Sequence, residues 1–139
     1  MNIERQKTAQ KIEVPKREMF EVCLKMNQLA FQPSRRDDAL FYLRPDCCIQ
    51  QKDFDAIRNE WGRKFMPNIK ELPYIPTEAD LFHALESDLE QLTHTNSAGW
   101  FAYTNIRFDD SSIRGQGENP WFALADAWIK VQEWKLKVV

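Results

Sequence analysis

The sequence predicts an α+β fold in which three or four helices pack on a small antiparallel sheet. Apolar residues recur at three- and four-residue spacing in four separate stretches, the period of a helix with one buried face. One run, Gly99-Trp100-Phe101-Ala102-Tyr103-Thr104-Asn105-Ile106-Arg107-Phe108, is rich in aromatic and branched side chains that suit a pleated surface, and a polar turn follows it. A chain of 139 residues is also the size of one domain. Such a domain buries about two thirds of its unfolded surface and needs neither disulfides nor a structural metal.

The elements follow in order. Residues 1–14 carry just Ile3, Ile12 and Val14 as apolar positions, so this arm is expected to fray or to add a short edge strand unless a partner holds it. From Pro15, a natural first-turn residue, Met19, Val22, Cys23, Met26, Leu29 and Ala30 mark an amphipathic helix that Pro33 stops. Ala39-Leu40-Phe41-Tyr42-Leu43 reads as a short buried strand, with one helical turn as the alternative. Phe54, Ile57, Trp61 and Phe65 predict a second helix from Gln51 to Met66, weakened by Gly62 and ended by Pro67. Pro67, Pro73 and Pro76 then make an extended, non-helical connector over residues 67–76, the place for any subdomain boundary within a single domain over 15–139.

Thr77 opens a third helix, with Asp80 three residues on in a relative of the capping box. Leu81, Phe82, Leu85, Leu89 and Leu92 form its expected buried stripe, and Glu78, Asp80, Glu86, Asp88 and Glu90 its solvent-facing acids. Residues 93–97 read as a loop before the 99–108 strand. Asp109-Asp110-Ser111-Ser112 makes a turn, Ile113-Arg114 begins a short returning strand, and Gly115-Gln116-Gly117 is a loop requiring positive φ at one or both glycines. Asn119 caps the last helix and Pro120 takes its first position. Trp121, Leu124, Ala125, Trp128 and Val131, widened by Phe122 and Ile129, make it the most buried of the helices.

Charge divides the chain. Residues 1–70 hold 14 Lys plus Arg against 10 Asp plus Glu, a net of +4, whereas residues 71–139 hold 5 against 11, a net of −6. Such asymmetry bears on partners and association rates. No run approaches the roughly 20 apolar residues of a membrane span, and MNIERQKTAQKIEV lacks the apolar core of a signal peptide, so a cytoplasmic protein is expected. Cys23, Cys47 and Cys48 are odd in number and include no CxxC, which points to reduced structural thiols; a vicinal Cys47–Cys48 disulfide is the alternative.

Chemistry-bearing patterns are sparse. His83 and His94 are the two histidines of the chain and have no partner at metal-ligand spacing, so no metal and no cofactor is expected. His83 falls near Asp80, Ser87 and Glu90 on the third helix, a carboxylate–His arrangement that would serve a small hydrolase; a solvated histidine among acids is the favoured account, because catalysis also requires a cleft and a substrate-positioning partner. His94 sits where the helix end favours an imidazolium. The Gly115–Gly117 step lacks a P-loop lysine and the third glycine of a dinucleotide fingerprint, and Glu118 repels phosphate. Trp100, Tyr103, Arg107, Arg114, Gly115 and Gly117 remain the candidate lining of a small-ligand or nucleotide site. Lys16, Arg17, Arg35, Arg36, Arg44, Arg58, Arg63 and Lys64 are scattered, with no basic cluster longer than two, so direct nucleic-acid binding is not expected. Asp80, Glu86, Asp88, Glu90, Asp109 and Asp110 are the candidate contacts to a basic protein surface.

Over residues 77–139 the order acidic helix, aromatic strand GWFAYTNIRF, loop RGQGENP and helix WFALADAWIKVQEW resembles the phage α-β-α sandwich domain of small bacteriophage and prophage accessory proteins. In those proteins a Gly-containing loop is followed by a polar-Pro step and an Ala-rich helix, here Asn119-Pro120 and Ala123-Leu124-Ala125-Asp126-Ala127-Trp128. Trp121, Trp128 and Trp134 are bulkier than that pattern, and residues 1–76 match no named family. The resemblance implies a non-enzymatic protein that binds a host protein or ribonucleoprotein with a basic surface. Its most concrete form is an anti-CRISPR-like inhibitor of an anti-phage defence complex. It carries over no catalytic residue. A homodimer seam at Trp121 and Trp134 is a further expectation.

Overall fold

The computed structural model describes residues 17–34, 36–61, 68–108 and 110–137. The arm over 1–14, the helix start at Pro15, Lys16, Arg35, Gly62, Arg63, Lys64, Phe65, Met66, Pro67 and Asp109 lie outside the described residues. Among those described, four helices and two three-stranded antiparallel sheets form an α+β fold. The elements are α1 (Arg17–Gln28), β1 (Leu40–Arg44), β2 (Cys47–Gln50), α2 (Gln51–Trp61), β3 (Tyr74–Ile75), α3 (Glu78–Leu85), β4 (Leu89–Thr95), β5 (Gly99–Phe108), β6 (Ser111–Gly117) and α4 (Pro120–Lys137).

The first sheet has the order β2-β1-β3. Leu40 pairs with Gln50 on one side and Ile75 on the other, and Phe41 with Ile49 and Tyr74. Its third strand comes from the Pro-rich connector, which does not stay extended throughout: Ile69–Glu71 is a 3-10 turn capped by the Asn68 side chain, and Leu72–Pro76 are buried. Proline forbids a continuing α-helix, but a single turn placed between prolines is allowed.

The second sheet has the order β4-β5-β6, and α4 covers one face of it. Leu92, Trp100, Ala102 and Gly115 stand on the covered face, as their cross-strand pairing requires. Gly115 and Gly117 lie within β6 and not in a loop, and neither has positive φ. What they need is the absence of a side chain. A Cβ on Gly115 would stand 2.8 Å from Ala127 Cα and collide with Ala123 O and Ala127 N, and one on Gly117 would stand 2.7 Å from Ala123 N. Among the described glycines positive φ belongs to Gly99, at 84°, after the three-residue turn Asn96-Ser97-Ala98.

The opposite side of α4 meets α1 and α3. One core therefore runs from Phe54 of α2 through Phe41 and Ile49 of the first sheet to Cys23, Met26, Leu81, Leu85, Leu124, Trp128 and Ala102. The Asn119 side chain accepts from Phe122 N at 2.9 Å and caps α4, which is buried over most of its circumference, as its sequence predicts. Trp121 is buried and donates its indole N–H to Pro76 O at 2.7 Å, which fastens the connector to α4 and removes Trp121 from any surface seam.

Candidate functional site

The candidate acids do not share one helix. α3 ends at Leu85, because Glu86 turns the chain away with φ 24° and ψ −101°. Glu86–Asp88 is a 3-10 turn and Glu90 lies in β4. Leu89 pairs with Thr104 and Gln91 with Tyr103, so Glu90 is the extra residue of a β-bulge and is exposed. Phe82, expected in the buried stripe, is 42% exposed. The acids nevertheless lie toward one end of the second sheet. Asn105 Nδ2 donates to Ser87 O at 2.7 Å and fastens the 3-10 turn to β5, which runs on past the start of β4 into the turn carrying Asp110. Glu86, Glu90 and Asp110 are exposed and Asp88 half-buried at this end of the second sheet. None of the four forms an ion pair among the described residues. Arg107 is exposed at the same end.

Asp80 belongs to a different arrangement. Its carboxylate accepts from Tyr74 Oη at 2.5 Å and from Thr77 N at 2.9 Å, while Thr77 Oγ1 accepts from Asp80 N at 3.1 Å, a complete capping box. Arg36 Nη2 stands 3.8 Å away. Desolvation raises the Asp80 pKa, but the hydrogen bonds from Tyr74 and Thr77 and the Arg36 charge outweigh it and hold the carboxyl below its ordinary value. Tyr74 moves the other way, to about 12, through burial and the adjoining carboxylate. Asp80 is thus committed to fixing α3 on β3, and its charge is not offered to a partner.

The residues proposed to line a ligand site are divided by the sheet. Trp100 stands on the face toward α4, with the His94 ring 4.9 Å away. His94 is a strand residue, so the helix-end explanation for it fails with the helix. Tyr103 and Arg114 are cross-strand partners on the other face, where the Arg114 guanidinium lies 5.2 Å from the centre of the Phe101 ring. Between Tyr103 and Arg107 the β5–β6 register slips, and the buried Thr104 hydroxyl spans the irregularity: it donates to Ile113 O at 2.7 Å and accepts from Ile106 N at 3.3 Å. Arg107 therefore sits beyond the bulge, away from Tyr103. The glycines of β6 are filled by α4, which leaves no phosphate cradle there.

Two clefts that sequence spacing does not show flank the Ala30–Ser34 segment, whose course Ala30 sets with φ 64°. The larger, of about 630 Å³, has an apolar floor of Phe31, Phe41 and Leu72 with Arg36, Asp37 and Lys70 among its lining charges. Its lining joins Asn27, Phe31 and Phe41 to Gln51 and to Ile69 and Leu72, so no local pattern could have exposed it. The smaller, of about 470 Å³, includes Asp80, His83 and Trp128. His83 is exposed, and the Glu90 expected beside it is on β4.

Among the described residues no three of His, Cys, Asp and Glu are grouped to hold a metal ion. Cys47 and Cys48 are free thiols on β2, where successive side chains point to opposite faces, a geometry that opposes a vicinal disulfide while the strand persists. Burial raises the Cys23 thiol to about 12. No helix among the described residues is long and apolar enough to cross a membrane. No protein-family model matches the chain, and neither the curated proteins nor the solved structures contain a match.

Proposed function

We propose that the protein is a non-enzymatic, phage-like accessory protein of the bacterial cytoplasm that binds a basic surface on a host protein or ribonucleoprotein. The observation that carries this reading is the placement of Glu86, Asp88, Glu90 and Asp110 toward one end of the second sheet, unpaired among the described residues. Carboxylates left without internal cations keep their full field for an incoming surface, steer its approach and select its sign. The sharpest version, inhibition of an anti-phage defence complex in the manner of an anti-CRISPR, adds the resemblance of residues 77–139 to phage accessory domains.

Tagged protein incubated in a bacterial lysate at low salt, washed in salt steps and read by mass spectrometry, tests the reading. The expected result is one stoichiometric host complex released as ionic strength rises, because exposed charges more than about 8–10 Å apart are screened at physiological salt. Release that is indifferent to salt would argue against the acidic end.

The cleft of about 630 Å³ favours a second reading, a small-ligand or nucleotide-binding protein. It moves the ligand from Tyr103 and Arg114 to the floor of Phe31 and Phe41. A nucleotide panel in a thermal-shift assay separates the two readings, since a ligand at 100 times its dissociation constant adds about 2.7 kcal/mol.

A further inference from the structure

The outer edge of the second sheet is closed by side chains in place of a strand. β6 is the edge strand, and Gly115 pairs with Ala102 of β5, so the backbone groups of Arg114 and Gln116 on either side of it face outward. Both find partners on α4. Gln116 N–H donates to Asp126 Oδ2 at 2.9 Å, and Lys130 Nζ donates to Arg114 O at 3.1 Å. The same two side chains meet each other at 3.0 Å, one helical turn apart. In a parallel ladder a single residue of the incoming strand donates to the carbonyl before a given position and accepts from the amide after it. Lys130 and Asp126 supply that donor and that acceptor around Gly115, so the ion pair stands in for one residue of a fourth strand.

We infer that the Asp126–Lys130 pair is a plug that keeps the β6 edge closed, and that without it β6 is an interface between two copies of this chain. An unplugged edge presents the groups that its own copy can satisfy about a two-fold axis. Antiparallel pairing centred on Gly115 sets each Arg114 opposite Gln116 of the other copy, so no like charges face each other across the ladder. Ser111–Gly117 has Arg114 as its one charged residue, and so has little else to discourage such pairing.

The full chain carrying Asp126→Ala and Lys130→Ala tests this. Both side chains are partly exposed, and Asp126→Leu, which removes the acceptor of the Gln116 amide and keeps the volume, serves if the double variant does not fold. Hydrogen exchange at the Gln116 amide is followed in dilute protein, and sedimentation across a concentration series. The expected result is exchange at Gln116 faster by about tenfold in the dilute variant, followed by doubling of the sedimenting mass with concentration and renewed protection of Gln116. Exchange at Gln116 equal to that of the parent protein overturns the plug. An exposed Gln116 amide in a protein that stays monomeric, or a dimer that leaves it exposed, overturns the interface.

Discussion

Asp80 shows how one side chain's environment decides what it can do. Sequence position puts it among five acids on an amphipathic pattern, but the Tyr74 hydroxyl, the Thr77 amide and Arg36 surround its carboxylate. Its folded pKa lies below the ordinary 3.8. A depressed carboxyl contributes stability that is complete above the unfolded value and is lost as pH falls through the folded one. Asp80→Asn is therefore expected to lower stability at pH 7 by about 1 kcal/mol, the usual scale for a helix cap. The gap between the two proteins should begin to narrow as pH drops below about 4 and go on shrinking as pH falls through the lowered folded value. Urea denaturation at pH 7 and pH 3 measures both values, and a gap no smaller at pH 3 than at pH 7 would deny the carboxylate its role.

At the scale of elements, much of the fold was legible and the failures share a cause. α1, α2, α4, β1 and β5 follow from periodicity, caps and prolines in the sequence. The predicted helix over 77–92 breaks into α3, a 3-10 turn and β4 because Leu89 and Leu92, three residues apart, face the same way in a helix and also in a strand with a bulge. Glu90 is that bulge, and it counterfeits helical spacing. The Gly115-Gln116-Gly117 step misleads similarly, since glycine marks both loops and strands that a helix approaches closely. Gly115→Ala separates these meanings. In a loop with positive φ at that glycine the substitution would cost about 1–2 kcal/mol through backbone strain alone. Here the new Cβ meets the backbone of Ala123 and Ala127, which cannot swing aside. A loss of about 3 kcal/mol is expected from the urea midpoint at constant slope.

In the whole molecule, α4 is the element on which the rest assembles. It fills the glycine-lined face of the second sheet, meets α1 and α3 on its other side, holds the connector through Trp121 and spans the β6 edge through Asp126 and Lys130. Asp126 and Lys130 make their contacts around Gly115, and the unpaired acids lie toward the other, bulged end of the second sheet. The site was legible as a list of acids and not as a place. The Asn105–Ser87 hydrogen bond that brings the 3-10 turn to β5 joins residues 18 apart, and no local spacing encodes it. Asp80 was included for its charge, which its internal partners consume.

The most direct measurement compares the parent protein with the Asp88→Lys, Glu90→Lys variant in capture from the same lysate, with affinity for the captured complex then measured across a salt series. Both residues lie outside the main core, so the variant should keep the parent's melting behaviour within about 1 kcal/mol. The account predicts at least about tenfold weaker binding at low salt and a flatter dependence on ionic strength. Equal affinity and equal salt dependence in the folded variant would contradict the claim that this end of the sheet is the binding surface.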